Sequence, residues 1–197
     1  MFCHSHTQDA IRSLSSQAQE QAQPKDEVIG AGSQEYNMVK SAFESSLQNK
    51  TIVQIKRLAC PGLNETYNHM TKNRKFNGNT VAANEALLVY VPLKSGVLNV
   101  DDIVKEGFYY RNQGVGVLGE GNHFSTQLSD AEARIPANGG VQTMIVAKVA
   151  RGNVYPSPGQ NTALKISPSG YQSVSLGNIT CIYSEAEAVP AYVLQYK

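Results

Sequence analysis

GFYYRNQGVGVLGEGNHFS, residues 107–125, and ITCIYSEAEAVPAYVLQY, residues 179–196, decide how this chain is read. In the first, Gly107 is placed to close a short helix opened by Asn99-Val-Asp-Asp, and four more glycines lead into a short strand at His123–Ser125. In the second, β-branched and aromatic residues predict strands at Ile179–Tyr183 and Ala191–Tyr196. Glu185 and Glu187 fall in the turn between them and read as surface residues. Helix, glycine-rich loop and paired strands in this order belong to a compact α+β domain.

Working outward, Ser33 is a good helix N-cap, followed at helical spacing by Tyr36, Val39, Phe43 and Leu47. Thr51–Leu58 alternates as a strand, and Pro61-Gly62 breaks it. Leu63, Tyr67 and Met70 mark a second helix, which ends in the turn Asn77-Gly78-Asn79. Ala86–Val91 is an apolar strand stopped by Pro92, and Val141–Ala150 is the strongest strand in the chain. Mostly strands follow the helices, so the sheet is expected to be mixed or antiparallel. Residues 1–32 are rich in Gln, Ser and Ala and cannot bury enough surface to offset their ordering entropy. They are expected to form a disordered or weakly helical tail, with a short helix possible at Asp9–Ala22, and the domain to run from 33 to 197.

Composition excludes several functional classes. A net charge of +1 and no long basic run argue against direct nucleic-acid binding. The densest basic cluster, Lys72, Arg74 and Lys75, reads as a solvated helix end. No run of about 18 apolar residues occurs, so neither a membrane span nor a secretory signal is expected. Cys3, Cys60 and Cys181 are widely spaced with no CxxC pair, which argues against a disulfide framework or structural zinc and favours a reducing compartment. His4 and His6 beside Cys3 make a poor metal site, and none is expected.

The chemistry-bearing residues are weighed next. Gly114, Gly116, Gly119 and Gly121 could approach a phosphate, but the spacing is neither GxGxxG nor GxxxxGK, and a plain loop is favoured. Cys60 and Cys181 sit in or beside strands and read as buried and inert; no nucleophile elbow is present. Asp101-Asp102 lies in a helix first turn, where capping is favoured over acid–base work.

Several motifs in fixed order resemble the catalytic domain of the poly(ADP-ribose) polymerase superfamily. QEYNMVKSAF resembles its opening helix, TIVQIKRLACPGLNETYNHMTKNRK its strand-to-helix pattern, and IVKEGF its helix ending in Gly-Phe. GEGNHFS stands where that family has Gly-Lys-Gly-Ile-Tyr-Phe-Ala, and CIYSEAEAVPAYVLQY resembles its closing strands. NGGVQTMIVAKVARGN looks most like the plant SRO group, relatives of the radical-induced cell death protein.

The resemblance implies an ADP-ribosyltransferase-type α+β fold and, in active members, NAD held by a His-Tyr-Glu set. The matching positions here are Tyr90, His123 and Ile179, a degenerate triad. Val91 stands for the glycine that contacts nicotinamide; Pro92, Gly121 and Ser129 are the other expected cofactor-side positions. Pro92 has no N–H to offer, and no aromatic residue between Ser125 and Val154 can stack on nicotinamide. The expectation is a domain that has lost NAD-dependent catalysis, requires no cofactor, and binds other proteins, with transcription regulators and a nuclear (and cytoplasmic) location implied by the resemblance. Two alternatives stay open: an active NAD-dependent mono-ADP-ribosyltransferase, and a reader of ADP-ribose or NAD without turnover.

Overall fold

A computed structural model describes residues 25–94, 99–109 and 114–197. The helix considered at Asp9–Ala22 and the Cys3, His4, His6 group lie outside the described residues. The elements in chain order are β1 (Glu27–Val28), α1 (Gln34–Ala42), a 3-10 turn (Glu44–Leu47), β2 (Ile52–Arg57) and α2 (Pro61–Asn73). The hairpin β3 (Lys75–Phe76) and β4 (Asn79–Thr80), then β5 (Glu85–Val91), α3 (Val100–Glu106), β6 (Asn122–Ser125) and α4 (Leu128–Glu132) follow. β7 (Gln142–Ala150), β8 (Val154–Pro156), β9 (Ser173–Leu176), β10 (Ile179–Ile182), a 3-10 turn (Glu185–Glu187) and β11 (Ala188–Tyr196) complete the order.

Nine strands form one sheet in the order β1-β2-β11-β7-β5-β6-β10-β9-β8. All neighbours are antiparallel except β8 and β9, which run parallel, so the class is α+β with a mixed sheet. Alternation along the strands builds two cores. Val89, Val91, Met144, Val146 and Leu194 face α1 and α4, against Val39, Phe43, Leu128 and Ala131. Leu88, Tyr90, Ile145, Val149 and Phe124 face the other way, towards Ile103 of α3. Tyr67 of α2 packs on that same side with Leu58, Val189 and Val193.

Local chemistry sets the element ends. Ser33 Oγ accepts the Tyr36 N–H at 3.1 Å, and Asn99 Oδ1 accepts the Asp102 N–H at 3.3 Å, each filling one orphan donor of a helix. β11 begins at Ala188, earlier than the sequence reading, which placed the strand start after Pro190. A proline in a central strand removes a ladder donor, and it is accommodated because the register with β7 shifts between Pro190 and Tyr192. α4, β8 and β9 are not among the expected elements, being too short to show a period.

Two further expectations are corrected. The fold starts before Ser33: Ile29 is buried, and Asp26 accepts from the Ala59 N–H at 2.9 Å and pairs with Lys56 at 2.8 Å. Glu187 and Arg74 are not surface residues but a buried ion pair at 2.8 Å, joining the end of α2 to the turn before β11. Arg74 Nη2 also donates to the Ala150 carbonyl at 3.3 Å. Turn residues and helix ends are exposed by default, and only the packing of α2 over the sheet takes these two out of water.

Burial pushes the Glu187 carboxyl up to about 7 from an ordinary 4.5, with Arg74 opposing it. Between those values the folded chain holds a proton that the unfolded chain has lost, so this group makes stability fall as pH rises through the window. Glu187→Gln should remove that fall. Arg74→Met should cost about 3–5 kcal/mol at pH 8, where Glu187 is left charged and buried, and clearly less near pH 5. Urea melts of the parent and both variants at the two pH values check this.

Candidate functional site

The register of β5, β6 and β10 determines which side chains can meet. Val91 lies opposite His123, and His123 lies opposite Cys181. Ser125 lies between Val89 and Ile179. Cross-strand partners share a face, so Val91, His123, Ser125 and Ile179 stand on the same side of the sheet. Tyr90 is paired with Phe124 and points to the opposite face. There its ring centroid lies 4.9 Å from Phe108 and 5.8 Å from Phe124, in a buried aromatic cluster. The structure therefore brings His123 and Ile179 onto one face and leaves Tyr90 on the other.

His123 is 2% exposed, and both of its ring nitrogens are engaged by the chain itself. Nδ1 sits 2.9 Å from the Gly121 carbonyl, which can only accept, so Nδ1 carries the proton. Nε2 is then the acceptor, and it takes the Leu118 N–H at 3.3 Å. Burial lowers the His123 pKa below its ordinary value and keeps the ring neutral, with the nearby Arg134 charge acting in the same direction. The imidazole cannot bond a ligand without giving up one of these contacts.

The glycine loop is filled from inside the protein. A Cβ on Gly116 would lie 2.5 Å from His123 Nε2 and 2.7 Å from Leu93 Cδ2. One on Gly119 would lie 2.0 Å from the Leu164 carbonyl oxygen, and one on Gly121 would lie 2.5 Å from Cys181 Sγ. Gly116 and Gly119 exchange backbone hydrogen bonds at 2.9 and 3.0 Å, closing a tight turn over His123. The buried Leu118 at its tip gives its carbonyl to the Tyr183 hydroxyl at 2.5 Å. Gly119 adopts φ +85°, which L side chains rarely adopt.

The remaining expected positions differ in burial. Val91 is buried in the core beside α4, and Pro92 ends β5 half-buried. Ile179 is half-buried, touching two apolar clusters. Ser129 is exposed on α4. The buried serine on the shared face is instead Ser125, whose hydroxyl donates to Asp130 at 2.5 Å and accepts the Gln127 N–H at 2.9 Å, fixing the start of α4. Ser125 and Tyr183 were missed as contributors because a lone serine in a strand and a tyrosine after one carry no spacing signal. Cys181, also on this face, has its thiol pushed up to about 12 by burial. Cys60 is raised to about 11 for the same reason, so neither is a nucleophile at neutral pH.

A family model described as the poly(ADP-ribose) polymerase catalytic domain matches residues 33–178, well over half of the chain. The matched span stops one residue before Ile179. No curated protein matches the chain significantly.

Nitrogen-15 spectra of the His123 ring should show a proton on Nδ1 and a bare Nε2 at neutral pH, with protonation shifted below the ordinary histidine value of 6.5. As pH falls below that value the unfolded chain takes up a proton that the folded ring refuses, so this group's contribution to stability is lost on acidification. Gly119→Ala should destabilise by roughly 2–5 kcal/mol, combining left-handed backbone strain with a clash. Gly114→Ala, with φ +97° but nothing within 4 Å among the described residues, should cost only the backbone share, about 1–2 kcal/mol.

Proposed function

The chain belongs to the family of poly(ADP-ribose) polymerase catalytic domains, whose substrate is NAD, and from that premise we propose an SRO-type member that no longer turns NAD over. In this reading it is a regulatory module that binds other proteins, transcription regulators among them, in nuclear stress responses.

One observation carries the reading: His123, at the position of the family's tyrosine, has both ring nitrogens committed to Gly121 and Leu118. The other positions support it. Tyr90 is turned into the Phe108–Phe124 cluster, and Ile179 has no carboxylate to polarise an acceptor. The space that glycines would offer a phosphate is taken by His123, Leu164 and Cys181. These residues do not fit NAD held by a His-Tyr-Glu set. A stacking platform and a buried polar contact are each worth roughly 1–3 kcal/mol. Losing two or three weakens binding by roughly two orders of magnitude or more, at about 1.4 kcal/mol per tenfold.

Thermal melts with millimolar NAD, nicotinamide or ADP-ribose test the proposal. A ligand at about 100 times its Kd adds roughly 2.7 kcal/mol of stability, an upward shift of several degrees; the expected result is none. Incubation with labelled NAD should leave the chain unlabelled. Labelling that is lost on changing Tyr90 or His123 would identify an active mono-ADP-ribosyltransferase. A shift with ADP-ribose alone would identify a reader. Either result overturns the proposal.

A further inference from the structure

We propose that the groove between β1 and α1 docks an extended segment of a partner protein, which adds a strand beside Val28 and sets a basic and an apolar side chain two residues apart into the groove. The inference gives the protein-binding module its surface, and rests on that reading for its purpose.

The backbone makes the first case. β1 is the edge of the nine-stranded sheet. The Ile29 N–H donates to the Ile55 carbonyl at 2.9 Å, so Ile29 and Ile55 form a hydrogen-bonded pair of the antiparallel ladder. Bonded and non-bonded pairs alternate, and Val28, opposite Lys56, falls in a non-bonded pair. Its N–H and C=O therefore point away from β2, towards an edge that no strand among the described residues pairs with. An unpaired edge of this kind is a template for strand addition.

The side chains make the second. A groove of about 630 Å³ runs along this edge, and Ile29, Met38 and Tyr192 supply apolar lining. Met38 is 48% exposed, a large apolar group left in water on α1. Charge complementarity selects the occupant. Glu35 is saturated: Arg57 donates to it at 3.0 and 2.6 Å, and the Tyr192 hydroxyl donates at 3.0 Å. Glu27 is held loosely, 3.5 Å from Arg57, with its side chain 66% exposed. The charged lining, Glu27 and Glu35 against Arg57, leaves one net negative charge at the mouth. Glu27 and Ile29 share a face of β1. An added residue paired with Val28 would thus place its two neighbours beside Glu27 and Ile29, one suited to Lys or Arg and the other to an aliphatic chain.

The probe is the peptide acetyl-Lys-Thr-Ile-Thr-Lys-amide, which offers this spacing in both strand directions, titrated into the nitrogen-15-labelled full chain. The expected result is saturable movement of the Val28 amide, with shifts gathered at Ile29, Met38 and Tyr192. Affinity should fall at least tenfold for Glu27→Lys, for the peptide with both lysines changed to glutamate, and for the peptide N-methylated at both threonines. Shifts elsewhere, no shift at millimolar peptide, or equal affinity for the charge-reversed peptide would overturn the proposal. So would slow exchange of the Val28 amide in the free chain, since another part of the chain or a second copy would then already pair with it. A silent groove leaves the loss of NAD turnover untouched, and a positive NAD result leaves the groove untouched, so the two failures are distinguishable.

Discussion

The neutral imidazole of His123 is the contact on which the rest of the site depends. It bridges the end of the glycine loop, through the Gly121 carbonyl, and the tip of that loop, through the Leu118 N–H. Tyr183, just beyond β10, holds the Leu118 carbonyl from the other side. Leu118 is thereby held by His123 of β6 and by Tyr183 beyond β10, and the loop becomes part of the sheet's packing. Ionising the ring would turn Nε2 from acceptor to donor and set it against the Leu118 N–H. Burial makes that ionisation costly, so the bridge and the protonation state support each other.

The glycines gain a structural meaning from this arrangement. Three of the four answer different neighbours: a histidine ring at Gly116, a passing backbone carbonyl at Gly119, a cysteine sulfur at Gly121. A phosphate cradle would instead present adjacent N–H groups to empty space. The segment around Leu164 adds further ties, the Glu120 N–H donating to the Leu164 carbonyl at 2.8 Å and the Asn161 N–H to the Val117 carbonyl at 2.9 Å.

Much of the fold was legible because its signals are local. Helix caps at Ser33 and Asn99, the apolar run into Val91 and the long strand before Arg151 need only a few neighbouring residues to be recognised. The site was legible by position but not by direction. Spacing within one strand says that Tyr90 and Val91 face opposite ways, yet which of them shares a face with His123 depends on pairing with a strand some thirty residues on. Arg74 and Glu187 failed for a related reason: each looks solvated in its own segment, and only their meeting across the fold makes burial tolerable.

The strand order has a consequence for how the molecule is made. Among the described residues, β11 lies between β2 and β7 and joins β1 and β2 to the rest of the sheet. On the ribosome, β2 therefore emerges long before its inner neighbour exists, and its inner edge stays open until β11 has been made. Such distant pairing delays the closing of the sheet and prolongs the time in which a nascent chain can associate wrongly. Completion of this fold waits on translation of β11.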